Sequence, residues 1–383
     1  MTQSSTRPVV AAYYPEERRA SGYPAARIPA PLLTHVIYAF LRLTEERDPA
    51  TGRARYRGVL NDEAAARANL NELRELKRQN PHLKVTLSIG GWGVSSTWFS
   101  NASADDETCA AFVASMVGLL DEFGLDGLDM DWEYPVHGGE EVLPPPQGTN
   151  YHRPEDRDRF TRLLAECRRQ LGPDRILSAA LPAPLDLLDL YDLEAAAPLL
   201  DYVMLMTYDL HNGWETRGPT NFHTALRAVP GDPSPTPLAR ETLNIHSAVE
   251  HCLRVFRPEQ VVLGTAFYGR GWRGVPAGET HGLFQPAEGL CEPGGGTPTY
   301  ARIAAELEPA MEKHTHPVAQ TNWVYGPRDG GTFVGYDDPE TLQAKAAYAA
   351  ERGLGGVMFW ELTGDIPDRH PLLHGLRRGL GLE

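Results

Sequence analysis

The sequence predicts a (β/α)8 barrel, and three observations carry that reading. Eight short apolar runs recur along the 383 residues. Longer helical patterns separate them, which implies right-handed βαβ units and a parallel sheet. Most of the runs are apolar almost throughout, as strands covered on both faces are. A doubly wound open sheet is the competing architecture.

In chain order the runs are "VVAAYY" (9–14), "HVIYAFL" (35–41), "KVTLSIG" (84–90), "LDGLDMDWE" (125–133), "ILSAALP" (176–182), "YVMLMTYD" (202–209), "VVLGTAFYG" (261–269) and "GVMFWEL" (356–362). Between the third and fourth, "ADDETCAAFVASMVGLLDEFG" sets Phe112, Met116, Leu119 and Phe123 on one helical face. Acidic residues open that segment and Gly124 follows it, as the helix dipole and a left-handed cap favour. Before the eighth, "PETLQAKAAYAAERG" starts at Pro339 and stops at Gly353 in the same way. The interval from Trp272 to Val334 is too long for a plain connection. The expected organisation is a barrel over 8–383 carrying an α+β insertion, 272–334, after the seventh strand. "YARIAAELEPAMEKH" (300–314) reads as its helix, and the Pro-rich stretch 211–244 as an ordered loop with no domain of its own.

Composition narrows the function classes. The formal net charge is −15, with 42% hydrophobic and 23% charged residues. That is an ordinary soluble composition, and its sign opposes a phosphate-backbone partner or an anionic membrane surface. No run approaches the ~20 apolar residues of a membrane span. The first residues show no signal peptide of secretory length, so the expectation is a cytoplasmic monomer; the mature part of a secreted protein would look the same. Cys109, Cys167 and Cys252 fall on predicted helices and Cys291 in a loop, spaced for no zinc site, and they read as buried thiols.

Chemistry concentrates in "LDGLDMDWEYP" (125–135). On a strand, successive residues face opposite sides, so Asp129, Asp131 and Glu133 share one face and Leu128, Met130 and Trp132 the other. In a barrel the apolar set meets the helices and the acids face the axis, with Glu133 nearest the C-terminal mouth where barrel enzymes keep their chemistry. Three carboxylates about 6.5–7 Å apart along the strand cannot all ionise cheaply, so at least one holds a proton near neutrality, which is how a general acid is made. A solvated acidic strand end is at odds with the apolar flanks. A Mg2+ or Ca2+ site is the other reading of such a cluster. His137 with Glu140 and Glu141 reads as a solvated loop.

These residues also carry a resemblance. "DGLDMDWE" resembles the DGxDxDWE signature of family 18 glycoside hydrolases, the chitinase family. "SIGGW" (88–92), "MTYD" (206–209), "FYGRGW" (267–272) and "GGVMFWEL" (355–362) resemble, in order, the family's elements on strands three, six, seven and eight. "DWEYPV", "FVGYDDPETLQAKAAYA" and the insertion are similar to bacterial members with an α+β insertion domain. The resemblance implies hydrolysis of β-1,4-linked N-acetylglucosamine polymers, chitin or chitooligosaccharides, without cofactor or metal. It implies retention through the substrate's own 2-acetamido oxygen. Glu133 would be the acid and later the base, Asp131 would orient the acetamido N–H, Asp129 would share a proton with Asp131, and Tyr208 would hold the acetamido oxygen. Trp360 would floor the cleft. Tyr134, Met206, Asp209, Tyr268 and Arg270 would line it, with Trp92 and Trp214 stacking on sugar rings. Tyr13 and Ser88 would bond the deepest Asp, above Phe40. Two alternatives stand beside this reading. One is a chitin-binding lectin, whose kind lacks the acid that Glu133 supplies here. The other is a hydrolase of N-glycan cores or peptidoglycan, whose kind commonly lacks a Trp where Trp132 stands.

Overall fold

The computed structural model describes residues 7–92, 96–137, 153–291 and 295–383. The "LPPPQG" loop, Glu140 and Glu141 lie outside them. In chain order the strands are Val9–Pro15 (β1), His35–Arg47 (β2), Ala54–Val59 (β3), Lys84–Gly90 (β4), Gly127–Asp131 (β5), Ile176–Pro182 (β6) and Tyr202–Met206 (β7). They continue with Val261–Ala266 (β8), Arg270–Arg273 (β9), Gly289–Leu290 (β10), Glu312–His316 (β11), Thr321–Gly326 (β12), Thr332–Tyr336 (β13) and Gly356–Trp360 (β14).

Eight of these strands pair in parallel, in the order β1, β14, β8, β7, β6, β5, β4, β2, and β2 pairs back onto β1. The sheet therefore closes into a (β/α)8 barrel, which removes the open-sheet alternative. Strand parity sorts the core as the barrel requires. Val9, Ala11 and Tyr13 of β1 pack inside with Ile37, Met204, Val262 and Met358. Val10, Ala12 and Tyr14 face outward into the layer that includes Phe112, Met116 and Leu120. The helix Asp106–Phe123 begins at Asp105, whose side chain accepts from the Thr108 N–H, and ends at Gly124 in the left-handed region (φ 65°). All four cysteines are buried thiols.

Some boundaries differ from the sequence reading. β2 runs on to Arg47 and folds back antiparallel as β3, Arg42 facing Val59. β5 stops at Asp131, so Glu133 stands just past the strand, at the barrel mouth. The helix expected over 300–314 covers only Tyr300–Leu307, and Glu312–His316 is a strand. Pro309 explains the stop, because it has no N–H to continue the ladder.

Between β8 and β14 lies a second, five-stranded antiparallel sheet, ordered β10, β9, β13, β12, β11 and spanning Arg270 to Tyr336. Its core holds Trp272, Val275, Leu283, Trp323 and Phe333, and Phe222, Ala225 and Val229 of the 211–244 stretch pack into it. That stretch is a loop with one short helix, Pro237–Thr242, and it joins the sheet's core to the barrel mouth.

Candidate active site

The site begins with register. Ser88 of β4 lies beside Asp129 of β5, and Asp129 beside Ser178 of β6, so all three point to the axis. Ser88 Oγ donates to Asp129 Oδ2 at 2.7 Å, Tyr13 Oη to the same oxygen at 3.0 Å, and Ser178 Oγ to Oδ1 at 2.6 Å. Burial pushes the Asp129 carboxyl up, and the three donors offset only part of that rise. Three hydroxyls aimed at one carboxylate fix its rotamer as well as its charge.

Above it, Asp131 is buried among apolar walls, and its Oδ1 makes no hydrogen bond. Burial first, then the charges of Glu133 and Asp129, raise its carboxyl well above the ordinary range. Glu133 is only 8% exposed. Burial raises it to about 7, a hydrogen bond from Tyr134 opposes the rise, and the charge of Asp209 adds to it. The stack therefore keeps a proton at neutral pH on groups beside the cleft.

Close backbone contact makes this placement possible. At Gly90 (φ 117°) an added Cβ would collide with the Asp131 carbonyl, and at Gly91 it would meet the Phe40 ring. The Gly91 N–H then donates to the Asp131 carbonyl at 2.9 Å. The paired glycines of "SIGGW" thus let β4 close on the end of β5.

A cleft open to solvent covers the stack. Trp360 stacks on Phe40 at 5.7 Å and 19° and sits 5.6 Å from the Tyr13 ring, forming an apolar floor. Met206, Tyr208, Tyr268 and Tyr134 line the walls. Burial, then Tyr268 and the nearby carboxylates, holds the Tyr208 hydroxyl protonated and available as a donor. Trp92 and Trp214 stand at the rim, 48% and 65% exposed, with ring centres 6.2 Å apart. Two large rings this exposed form an apolar patch with a polar surround, the kind of surface that takes a flat amphipathic ligand.

On the opposite wall, Arg270 grips Asp209 through Nε–Oδ1 at 2.8 Å and Nη2–Oδ2 at 2.6 Å. Burial disfavours the Asp209 charge, but His223 and Arg270 outweigh it and hold the carboxyl below the usual carboxylate range. Asp209 thus stays ionised while Asp131 and Glu133 share a proton, so neighbouring carboxylates are set to opposite tasks.

Of the residues singled out in sequence, twelve line this cleft: Phe40, Trp92, Asp131, Glu133, Tyr134, Met206, Tyr208, Asp209, Trp214, Tyr268, Arg270 and Trp360. Asp129, Tyr13 and Ser88 lie beneath it, joined by the bonds above. Trp132 turns away and stacks on Phe99 at 5.3 Å and 13°. Ser178, Thr297 and the end of β6 with Ala183, Pro184 and Leu187 escaped the sequence reading, and His137, read there as part of a solvated loop, lines the cleft. Ser178 had a signal, as the lone polar side chain inside "ILSAALP"; Thr297 had none. His223 was also missed; it is 1% exposed, with Nδ1 3.6 Å from Asp209 Oδ1.

A closed barrel with a proton-sharing acid stack under an aromatic-walled cleft defines a class of carbohydrate-active site. Residues 9–365 match the family described as glycosyl hydrolases family 18, and the chain belongs to that family. It is 33% identical to Chitinase A1 of Niallia circulans over 314 residues, covering 78% of this chain but 43% of that longer protein. Among solved structures it resembles chitinase ChiA74 from Bacillus thuringiensis at TM-score 0.82 and 29% identity, covering 98% of this chain and 70% of the other. It also resembles a family 18 N-acetylglucosaminidase from Paenibacillus barengoltzii at TM-score 0.76 and 30% identity, covering 98% and 100%.

Proposed function

We propose that the protein hydrolyses β-1,4 links between N-acetylglucosamine units in chitin or chitooligosaccharides, with retention and with the substrate's acetamido oxygen as nucleophile. The observation that carries this reading is the pairing of a proton-bearing Glu133 at the mouth with a buried Asp131 whose Oδ1 has no hydrogen-bond partner. A buried acceptor without a donor costs free energy, and a ligand N–H that reaches it recovers that cost. An acetamido group supplies such an N–H and, on its other side, a carbonyl oxygen for attack.

Each residue then has a task. Glu133 protonates the leaving glycosidic oxygen and afterwards draws a proton from water. Asp131 accepts the acetamido N–H and balances the positive charge that develops as the ring oxygen and acetamido group share the anomeric cation. Asp129, fixed by Tyr13, Ser88 and Ser178, tunes the charge of Asp131 from below. Tyr208 donates to the acetamido oxygen and holds it in line. Trp360 supports the apolar face of the distorted sugar. The curated and structural relatives named chitinases support the substrate class, as does the aromatic rim.

One assay separates this reading from its competitors. The protein is incubated with chitooligosaccharides, a high-mannose glycoprotein and bacterial cell wall, and the released sugars are identified. Release of N-acetylglucosamine oligomers from the first alone, with the β-anomer formed first by proton NMR, is the expected result. Turnover of cellooligosaccharides or fully deacetylated chitosan oligomers would contradict acetamido participation, and binding without turnover would favour a lectin.

A further inference from the structure

Away from the cleft, the antiparallel sheet brings together His281, Glu312 and His314, whose ligand atoms all lie within 4.8 Å of one another. Glu312 and His314 alternate on β11, so both side chains leave the same face of the strand. His281 comes from a neighbouring loop, where its own backbone is left-handed (φ 50°). That loop is held in place from both sides. The Gly282 N–H donates to the Ala277 carbonyl at 2.7 Å, and the Trp323 indole N–H donates to the His281 carbonyl at 3.0 Å. The His314 ring is stacked on Trp323 at 4.8 Å and 21°, which fixes its plane.

The spacing of the donor atoms is informative. His281 Nδ1 lies 3.4 Å from Glu312 Oε2, and His314 Nε2 lies 3.6 Å from Glu312 Oε1. Both exceed the ~2.7–3.2 Å of an N–H···O hydrogen bond. They run to the two different oxygens of one carboxylate, so the imidazoles flank Glu312, and a small side-chain rotation brings the three donors to the ~2.0–2.2 Å bonds that zinc makes. His314 Nε2 is buried and has no hydrogen-bond partner.

We propose that His281, Glu312 and His314 bind a divalent transition metal of the zinc type, with solvent completing the coordination. Two imidazoles and one carboxylate suit zinc, nickel or copper, whereas calcium and magnesium call for oxygen ligands. The metal clips the His281 loop to β11, the edge strand of the insertion's sheet, where backbone groups are otherwise open to pairing with another chain. The same loop bonds through Phe284 N–H and Gln285 carbonyl to Thr220, in the segment that carries Trp214 at the cleft rim. The clip therefore braces the outer wall of the cleft and takes no part in its chemistry.

The test uses untagged, EDTA-treated protein titrated with zinc chloride by isothermal calorimetry, with calcium chloride in parallel. One equivalent of zinc should bind and raise Tm, while calcium should do neither. Glu312→Gln, a change at an exposed side chain that spares the fold, and His281→Ala should each weaken zinc binding by about tenfold or more. Both variants should retain wild-type circular dichroism and wild-type turnover of a soluble chitooligosaccharide. Absence of zinc binding to the wild type, or binding unchanged in both variants, would overturn the site; neither outcome depends on the identity of the reaction in the cleft.

Discussion

Strands β5 and β11 place titratable side chains by the same alternation of two residues, and the surroundings turn that one device to different ends. On β5 and just past its end the acids face the barrel axis and its mouth, and Asp129, Asp131 and Glu133 are 0%, 4% and 8% exposed. Burial weakens screening, so each charge is felt by the next and the proton becomes a shared resource. On β11 the strand is at a sheet edge and the Glu312 side chain is 61% exposed. There the carboxylate stays hydrated, and its neighbours are imidazoles that offer lone pairs. Spacing alone thus sets which groups meet; burial decides whether they exchange protons or hold a cation.

The largest expected effect comes from the acid just past the end of β5. Glu133→Gln keeps shape and removes the transferable proton, so kcat on chitooligosaccharides should fall by on the order of 10²–10⁴ or more, with oligosaccharide binding retained. Activity within a few-fold of the unmodified protein would take Glu133 out of the role. Next in size is the outward-facing Trp132, the first residue after β5. Trp132→Ala should cost about 3–5 kcal/mol of stability, because the indole is packed between Phe99 and Phe160. Denaturant unfolding measures this, and a loss below about 1 kcal/mol would mean that the outward parity is wrongly assigned. The smallest effect belongs to the rim. Trp214→Ala should raise KM about 2- to 10-fold with kcat little changed, from the ~0.5–1.5 kcal/mol an aromatic contact is worth. A fall in kcat with KM constant would place Trp214 in the chemistry.

How much of this was legible in sequence follows from where each signal resides. The parity of β5 was readable because both of its faces are diagnostic, acids on one side and Leu128, Met130 and Trp132 on the other. The barrel strands were readable because burial on both faces leaves continuous apolar runs. β11 was not: "AAELEPAMEKH" has helix-forming composition, and its strand state comes from pairing with β12, which lies later in the chain. Read as helix, Glu312 and His314 point apart, and with that error the His281 cluster was hidden. His223 and Thr297 were missed because loop packing brings them in from positions with no local pattern, whereas Ser178 stood out as the one polar side chain of its strand and gains its meaning only from its register beside Asp129. The extension of β2 into a hairpin with β3 likewise depends on a partner strand that is polar on its exposed side.

If the three acids titrate as one unit, the pH dependence of kcat/KM carries their shared proton. The acid form is required, so activity should fall as pH rises through the stack's upper pKa, near the value of about 7 to which burial brings Glu133 and well above the ~4.3 of an unperturbed Glu. Asp129→Asn removes a negative charge that raises the Asp131 carboxyl, so the neighbours should ionise more easily. In this variant the rate should be lower and the basic limb moved toward acid; a basic limb unchanged from that of the unmodified protein would show that the acids titrate independently.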